Sequence, residues 1–407
     1  MKNNLLLLVL LFNLVSSKAQ TWSIAADIPE AIRAGNAASY SKNGDGYLFI
    51  ASGRNQDGII TTRHQKYELS SDIWTDLAPT PTPIIGASTA IVRDTLYLIG
   101  GLVTTPGSAI RKVRKYSINE NTWSDARDFP INIVDSDAVA YQDSLIYVAA
   151  GYSNRVRVFN TITNTWRLAT SFPTTQTLSW GALTLVGNKL IYMCGATGFQ
   201  SSNYFNTVRI GTIDQNNRAN ITWTLGTPFP GNTRTFFDAH PWGNGIIMSG
   251  GSTDNTFETH SDECYYYDVD TDTWHQLPSK PTAWLTGNSG SVQMGNTWKL
   301  ICSSGYQSPN YLYSTEIYTD DDVLAIEIPK ASASVLQLMP NPAQDLLHLK
   351  MQGKPKQVTV YDVIGKKIEV RRIDDETLNV SILPAGVYWI QVIDDRQILV
   401  SGKFIKQ

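Results

Sequence analysis

The sequence predicts an all-β protein: a six-bladed β-propeller closed by its own N-terminal strand, followed by a small Ig-like β-sandwich. Three observations carry this. Six short apolar runs end in glycine, at Gly53, Gly101, Gly151, Gly195, Gly251 and Gly305, spaced 44 to 56 residues apart. Six tryptophans, Trp22, Trp74, Trp123, Trp166, Trp223 and Trp274, keep the same beat at 43 to 57 residues, and an internal period near fifty belongs to propellers and related arrays. The ends of the repeat are complementary: Trp22 has no such glycine before it, and no tryptophan follows Gly305 until Trp389. The first segment can therefore complete the last unit, which closes a ring and would serve no purpose in an open array.

Each unit reads as four short strands. Residues 87–92, the turn Arg93-Asp94-Thr95 and residues 96–101 form one strand pair ending at glycine, where the chain must bend sharply. A second pair follows, marked by an aromatic residue seven positions before the tryptophan: Tyr67, Tyr116, Phe159 and Tyr267. Polar turn formers lie between them, such as Ser70-Ser71-Asp72 and Asn119-Glu120-Asn121. A small twisted sheet of this kind cannot bury both faces alone, so neighbours must stack around an axis.

The glycine pairs Gly100-Gly101 and Gly250-Gly251, followed by the aromatic and tryptophan, resemble the kelch family over roughly residues 20–325. Only the second glycine is kept at Ser52-Gly53, Ala150-Gly151, Cys194-Gly195 and Ser304-Gly305, and the fourth unit carries an insertion before Trp223. The resemblance implies a six-bladed kelch propeller.

The opening residues, Lys2, the apolar run 5–12 and Ser17-Lys18-Ala19, have the order of a secretory signal peptide over residues 1–19. No later segment has the ~20 consecutive apolar residues of a membrane helix. Removing Lys2 and Lys18 takes the formal charge of -3 to -5, which offers nucleic acid no electrostatic attraction. Three cysteines, Cys194, Cys264 and Cys302, leave at least one without an intrachain partner, so a disulfide framework is not the source of stability.

Residues 326–337, rich in small and polar side chains, read as a linker to a second domain over residues 338–407. Its alternating runs, Val358-Thr359-Val360-Tyr361 and Val387-Tyr388-Trp389-Ile390-Gln391-Val392, are strands of a sandwich. Four ordered motifs resemble the C-terminal sorting domain of type IX secretion cargo: Pro340-Asn341-Pro342-Ala343, then Val360-Tyr361-Asp362-Val363-Ile364-Gly365-Lys366, Leu383-Pro384-Ala385-Gly386-Val387-Tyr388, and Gly402-Lys403-Phe404-Ile405-Lys406. The resemblance implies a Bacteroidetes-type bacterium, passage through periplasm and outer membrane, the type IX machinery as a partner, and a final place outside the cell or on its surface.

Propeller ligands usually meet the loops at one mouth of the central channel. The segments entering the innermost strands offer Arg33, Asn36, Asp135, Asp137, Trp180, Arg234, Asp238, Trp284 and Asn288 as ligand-binding candidates. Planar guanidinium groups grip carboxylates and indole faces stack on sugar rings, so the set suits a glycan or a protein ligand. His64 beside Arg63 is a further loop feature, its imidazole expected to lose basicity next to a cation. Asp268-Val269-Asp270-Thr271-Asp272 imitates the start of a calcium loop but has Thr273 and Ser279 where Gly and Glu are needed, and the histidines lack zinc spacing; no metal or cofactor is expected. With no nucleophile motif, the sequence favours a non-catalytic binding module. The alternative is a carbohydrate-active enzyme of the sialate mutarotase or epimerase kind, with Arg234 and Asp238 as its candidate catalytic pair.

Overall fold

The computed structural model describes residues 20–104, 107–320, 336–351, 353–362, 367–395 and 399–407. The leader at residues 1–19 and most of the linker at 326–337 lie outside the described residues. The chain divides into two compact units, Met1–Val323 and Leu324–Gln407.

Among the described residues, the first unit contains six antiparallel four-stranded meanders, one of them widened by the short strand Ile32–Arg33. In blade 1 the strands Asn36–Lys42, Asp45–Asn55, Ile60–Glu68 and Ile73–Asp76 run outward from the channel. Blades 2 to 5 repeat this order. In blade 6, Asn288–Met294, Thr297–Ser303 and Thr315–Asp320 are completed by Thr21–Ala25 from the N-terminus. Trp22 lies directly opposite Tyr318 there, as Trp74 lies opposite Tyr67, Trp123 opposite Tyr116, Trp166 opposite Phe159 and Trp274 opposite Tyr267. Blade 4 differs: Gly211 faces Trp223, and the ring of Phe172 covers the indole at 4.7 Å instead.

The polar turns do more than reverse the chain. Asp72, Asn121, Asn164 and Asp272 hold φ between 52° and 55°, a left-handed conformation that Asp and Asn tolerate. Their Oδ1 atoms also accept backbone N–H groups from the preceding blade: Ala26 at 2.8 Å, Ala78 at 2.8 Å, Arg127 at 2.9 Å and Thr227 at 2.7 Å. Two residues on, each tryptophan donates its indole N–H to a carbonyl of the same connection. Trp74 reaches Ala26 at 3.0 Å, Trp123 reaches Ala78 at 2.9 Å, Trp166 reaches Arg127 at 3.1 Å and Trp274 reaches Thr227 at 2.9 Å. Trp223 does the same to Thr170, and Trp22 closes the circle on Pro278, each at 3.0 Å.

The glycine pattern follows from backbone geometry. The second residue of each pair has φ between 72° and 122°, and at Gly101 a Cβ would stand 2.4 Å from a methyl of Ile84. The first residue has φ between 56° and 71°, inside the left-handed basin that Ser52, Ala150, Cys194 and Ser304 occupy without glycine. Glycine is thus obligatory at one position and optional at the other.

The cores lie between blades. Phe49 and Ala51 of blade 1 pack with Leu96, Leu98 and Tyr116 of blade 2, and Leu48, Ile50 and Tyr67 of blade 1 pack with Val292, Ile301 and Ile317 of blade 6. The three cysteines are buried free thiols. No helix among the described residues is long and apolar enough to cross a membrane.

Among the described residues, the second unit is a sandwich of two four-stranded sheets. One contains Gln337–Met339, Leu346–Lys350, Thr377–Asn379 and Arg371–Arg372; the other contains Lys367–Ile368, Pro355–Tyr361, Gly386–Asp394 and Leu399–Lys406. Leu347, Leu349, Val360, Ile390 and Phe404 form its core. The terminal motif is explained by strand alternation: Phe404 points inward to stack on Tyr388, while Lys403 and Ile405 are exposed.

Two substitutions separate the latch from the bend. Trp74→Phe keeps an aromatic side chain but removes the indole N–H that the Ala26 carbonyl accepts, and should cost about 1–2 kcal/mol in denaturant unfolding. Gly101→Ala adds backbone strain and a clash and should cost more than ~2 kcal/mol. Equal costs would contradict this division of roles.

Candidate functional site

The channel mouth is built from the residues that lead into the innermost strands. Ala34, Gly86, Asp135, Trp180, Phe236 and Thr286, one per blade, all have φ between 46° and 63°. Their backbones are stitched to one another around the axis. The Ala34 N–H donates to Thr286 at 2.8 Å, Thr286 to Phe236 at 3.0 Å, Phe236 to Trp180 at 3.2 Å, and Asp135 to Gly86 at 3.0 Å. Left-handed backbone is uncommon for bulky residues and persists only where neighbours enforce it, so Trp180 and Phe236 mark a strained rim. All six residues line a concave space of about 490 Å³.

One side of this mouth is aromatic. Trp180 and Phe236 lie 5.0 Å apart, Phe257 is 5.1 Å from Phe236, and Phe199 is 4.9 Å from Phe257. Tyr152 meets Trp180 edge-on at 5.5 Å. The Arg33 guanidinium stands over Tyr306 at 4.6 Å and Phe257 at 5.1 Å, and its Nε donates to the Tyr311 hydroxyl at 2.9 Å. Arg54 is its register partner on the next strand, and its Nη1 donates to the Gly58 carbonyl at 3.0 Å. Phe236 was legible in principle, because it precedes Asp238 by the same two residues that separate Trp180 from Ala182. Phe199 and Phe257 sit in the loops after Gly195 and Gly251, where no periodicity singles them out.

Below the mouth a second space of about 420 Å³ follows the axis, lined by Asp135, Asp137, Asp238, His240 and Ser289 among others. Asp137 accepts the N–H of Leu183 at 2.8 Å and of Ala138 at 2.7 Å. Ser289 donates to Asp238 at 2.7 Å, and His240 Nε2 meets the same hydroxyl at 2.6 Å. Burial pushes Asp135 and Asp137 up to about 6. Burial, with the charge of Asp137 added, pushes Asp238 up to about 7, against the opposing hydrogen bond from Ser289. The same loss of water takes His240 down to about 4, so it is neutral at physiological pH.

Of the sequence candidates, Arg33, Asp135, Asp137, Trp180 and Asp238 line these two spaces. The structure places Asn36, Arg234, Trp284 and Asn288 elsewhere, buried in the packing between blades. Asn36 donates to the carbonyls of Ala51 at 2.6 Å and Ile84 at 3.1 Å and accepts from Ala87 at 2.9 Å, while Asn288 donates to Ile32 at 2.8 Å. Arg234 is 1% exposed, paired with Glu263 and bonded to Ser261. It is therefore not beside Asp238 at the opening. Trp284 fills the space that Gly250 and Gly287 leave, where a Cβ would approach its ring to 2.2 and 1.7 Å.

His64 is buried against Tyr116 and Trp123, and its fall to about 4 comes from burial and not from Arg63, which pairs with Asp76 at 2.7 Å. The acidic segment at Asp268 is a turn: its Oδ1 caps the N–H groups of Asp270 and Thr271, each at 2.9 Å. Among the described residues, no group of three or more His, Cys, Asp or Glu is disposed to hold a metal.

The raised carboxyls have a thermodynamic consequence. An acid whose pKa rises on folding binds more protons folded than unfolded between the two values, so stability falls as pH climbs from about 4 to 7. Asp238→Asn should therefore raise Tm relative to the parent at pH 8 and lose that advantage near pH 4 in thermal melts. An offset independent of pH would contradict an Asp238 whose carboxyl is raised on folding.

Comparison with known proteins agrees with this architecture. Residues 337–407 match the family model of the secretion system C-terminal sorting domain. Kelch-like protein 35 of Mus musculus is 29% identical over 97 residues, 23% of this chain and 16% of that protein. Beta-scruin of Limulus polyphemus is 32% identical over 83 residues, 20% of this chain and 9% of that protein. The matched segments thus span less than a fifth of either relative. A solved structure titled "Structure of YjhT" aligns with a TM-score of 0.58 over 73% of this chain and 97% of that one, at 16% identity, a likeness of fold. The Attractin/LZTR1 beta-propeller model matches residues 48–311, more than half of the sequence. With six kelch-type blades ahead of a type IX sorting domain, the chain belongs to the Attractin/LZTR1 beta-propeller family.

Proposed function

We propose that the propeller is a glycan-binding module working outside the cell or on its surface, with the channel mouth as its site. The supporting observation is the platform of Trp180 and Phe236, held in strained backbone beside Arg33. Aromatic faces suit the C–H faces of pyranose rings, and guanidinium and carboxylate groups around them suit hydroxyls and acidic substituents. A concave space of about 490 Å³ fits a sugar residue better than the flat face of a globular protein, which makes a protein ligand the second choice. The export route in this reading begins with the leader at residues 1–19, crosses the periplasm of a Bacteroidetes-type cell, and ends through the type IX machinery acting on residues 338–407.

On a glycan array, the purified propeller should retain a defined set of sugars, and Trp180→Ala should weaken each about tenfold or more. Unchanged binding by Trp180→Ala and Phe236→Ala together would sink the mouth assignment. Deleting residues 338–407 should hold the protein in the periplasm, as read by fractionation; normal appearance outside the cell would refute the sorting role.

A further inference from the structure

The channel beneath the mouth has a composition that the glycan reading leaves unused. Its lining includes three carboxylates, Asp135, Asp137 and Asp238, and neither Lys nor Arg. Asp137 and Asp238 stand at equivalent register on blades 3 and 5, flanking Ala182 of blade 4. Two residues further along the blade 4 strand, Thr184 lines the same space; it is 1% exposed, and its hydroxyl has no hydrogen-bond partner in the protein. A buried hydroxyl is seldom left unpaired, because the lost hydration is not returned. Small residues such as Gly35, Ala37, Ala87 and Ala90 form much of the remaining wall, so the space of about 420 Å³ can admit a sugar-sized group.

The chemistry of such a guest is constrained from two sides. Partly buried carboxylates with no Lys or Arg in the channel wall favour a cation. A bare divalent ion would need a convergent set of oxygen ligands, which the described residues do not assemble. A primary ammonium needs less: its three N–H donors can be shared among two carboxylates and a hydroxyl.

We propose that the channel is a subsite for a protonated amine, so that the glycan bound at the mouth is one carrying a free amino group, a hexosamine that is not N-acetylated. The proposal rests on the reading of the mouth as a glycan site. The ammonium sits between Asp137 and Asp238 with Thr184 beside it, while the rest of the saccharide lies over Trp180 and Phe236. Arg33 and Arg54 line the mouth but not the channel, which keeps positive charge away from the ammonium. The groups that set the electrostatics are Asp135 with Tyr152, Asp137 with Tyr192, Asp238 with His240, and Lys280, whose charge acts on Asp238.

Calorimetric titration of the full chain with chitotriose and with its tri-N-acetylated form distinguishes the possibilities. At pH 7 the amine form should bind at least tenfold more tightly, and the preference should shrink as pH falls to 5 and the carboxyls take up protons. Asp238→Asn, which keeps a partner for Ser289, should abolish the preference by weakening the amine form; Asp137→Asn and Thr184→Val give independent readings should one variant fail to fold. Trp180→Ala should weaken both probes alike. Equal affinity for the two probes, with sensitivity to Trp180→Ala, overturns the amine subsite and leaves the mouth reading standing. A preference that survives in both Asn variants also overturns it, as does failure of the amine form to bind the parent protein, whereas the mouth reading stands or falls on the glycan array.

Discussion

Six indole N–H groups, each donating to a carbonyl of the neighbouring blade, are the interaction on which the rest of the structure depends. One bond of this kind contributes only about 1 kcal/mol net. Its importance is positional: it fixes the outer edge of one sheet to the connection leaving the sheet before it, at the radius where twist would otherwise splay them. The apolar cores then fill the wedge between blades, so neither face of a sheet is left bare. Closure depends on the same contact, since Trp22 reaches Pro278 across a sequence separation of 256 residues. The last blade is consequently made from both ends of the unit, and no blade has a free neighbouring face to fray from.

A ring tied at its rim leaves its centre available. The innermost strands need not fill the axis, and small side chains along them leave a channel. The residues leading into those strands are forced into left-handed backbone, and four of them donate their N–H to the equivalent residue of a neighbouring blade. Those bonds help to fix where their side chains stand. Ala, Gly, Asp, Trp, Phe and Thr occupy the six equivalent places, so a repeated backbone carries an unrepeated surface. The burial that raises the channel carboxyls has the same origin, because the blades exclude the water that would otherwise stabilise their charge.

Much of the scaffold was legible from the residues. The glycine and tryptophan beat reports periodic backbone geometry, and that geometry has chemical requirements that only certain side chains meet. Gly101 is required where a Cβ would strike Ile84, and Asp72 or Asn121 is favoured where a left-handed turn must also offer an oxygen to the next blade. The site was legible only in part. Asp135, Trp180 and Asp238 line the opening, but Arg234 and Trp284 carry the same residue types in the same register zone and are buried between blades. Residue type and spacing alone do not distinguish an arginine facing solvent from one paired with Glu263 behind a neighbouring sheet.

The sequence by itself determined the fold class, the blade number, the closure and the sorting domain, because each is written in a local pattern or in the pairing of two ends. Tertiary structure alone decided which side chains meet. Phe199 and Phe257 reach the platform from loops of adjacent blades, Arg33 is caged by rings from two others, and Asp137 acts on Asp238 past the intervening blade. Those encounters depend on how six sheets are rotated about a common centre, and nothing in the linear order of residues specifies that rotation until the ring is closed.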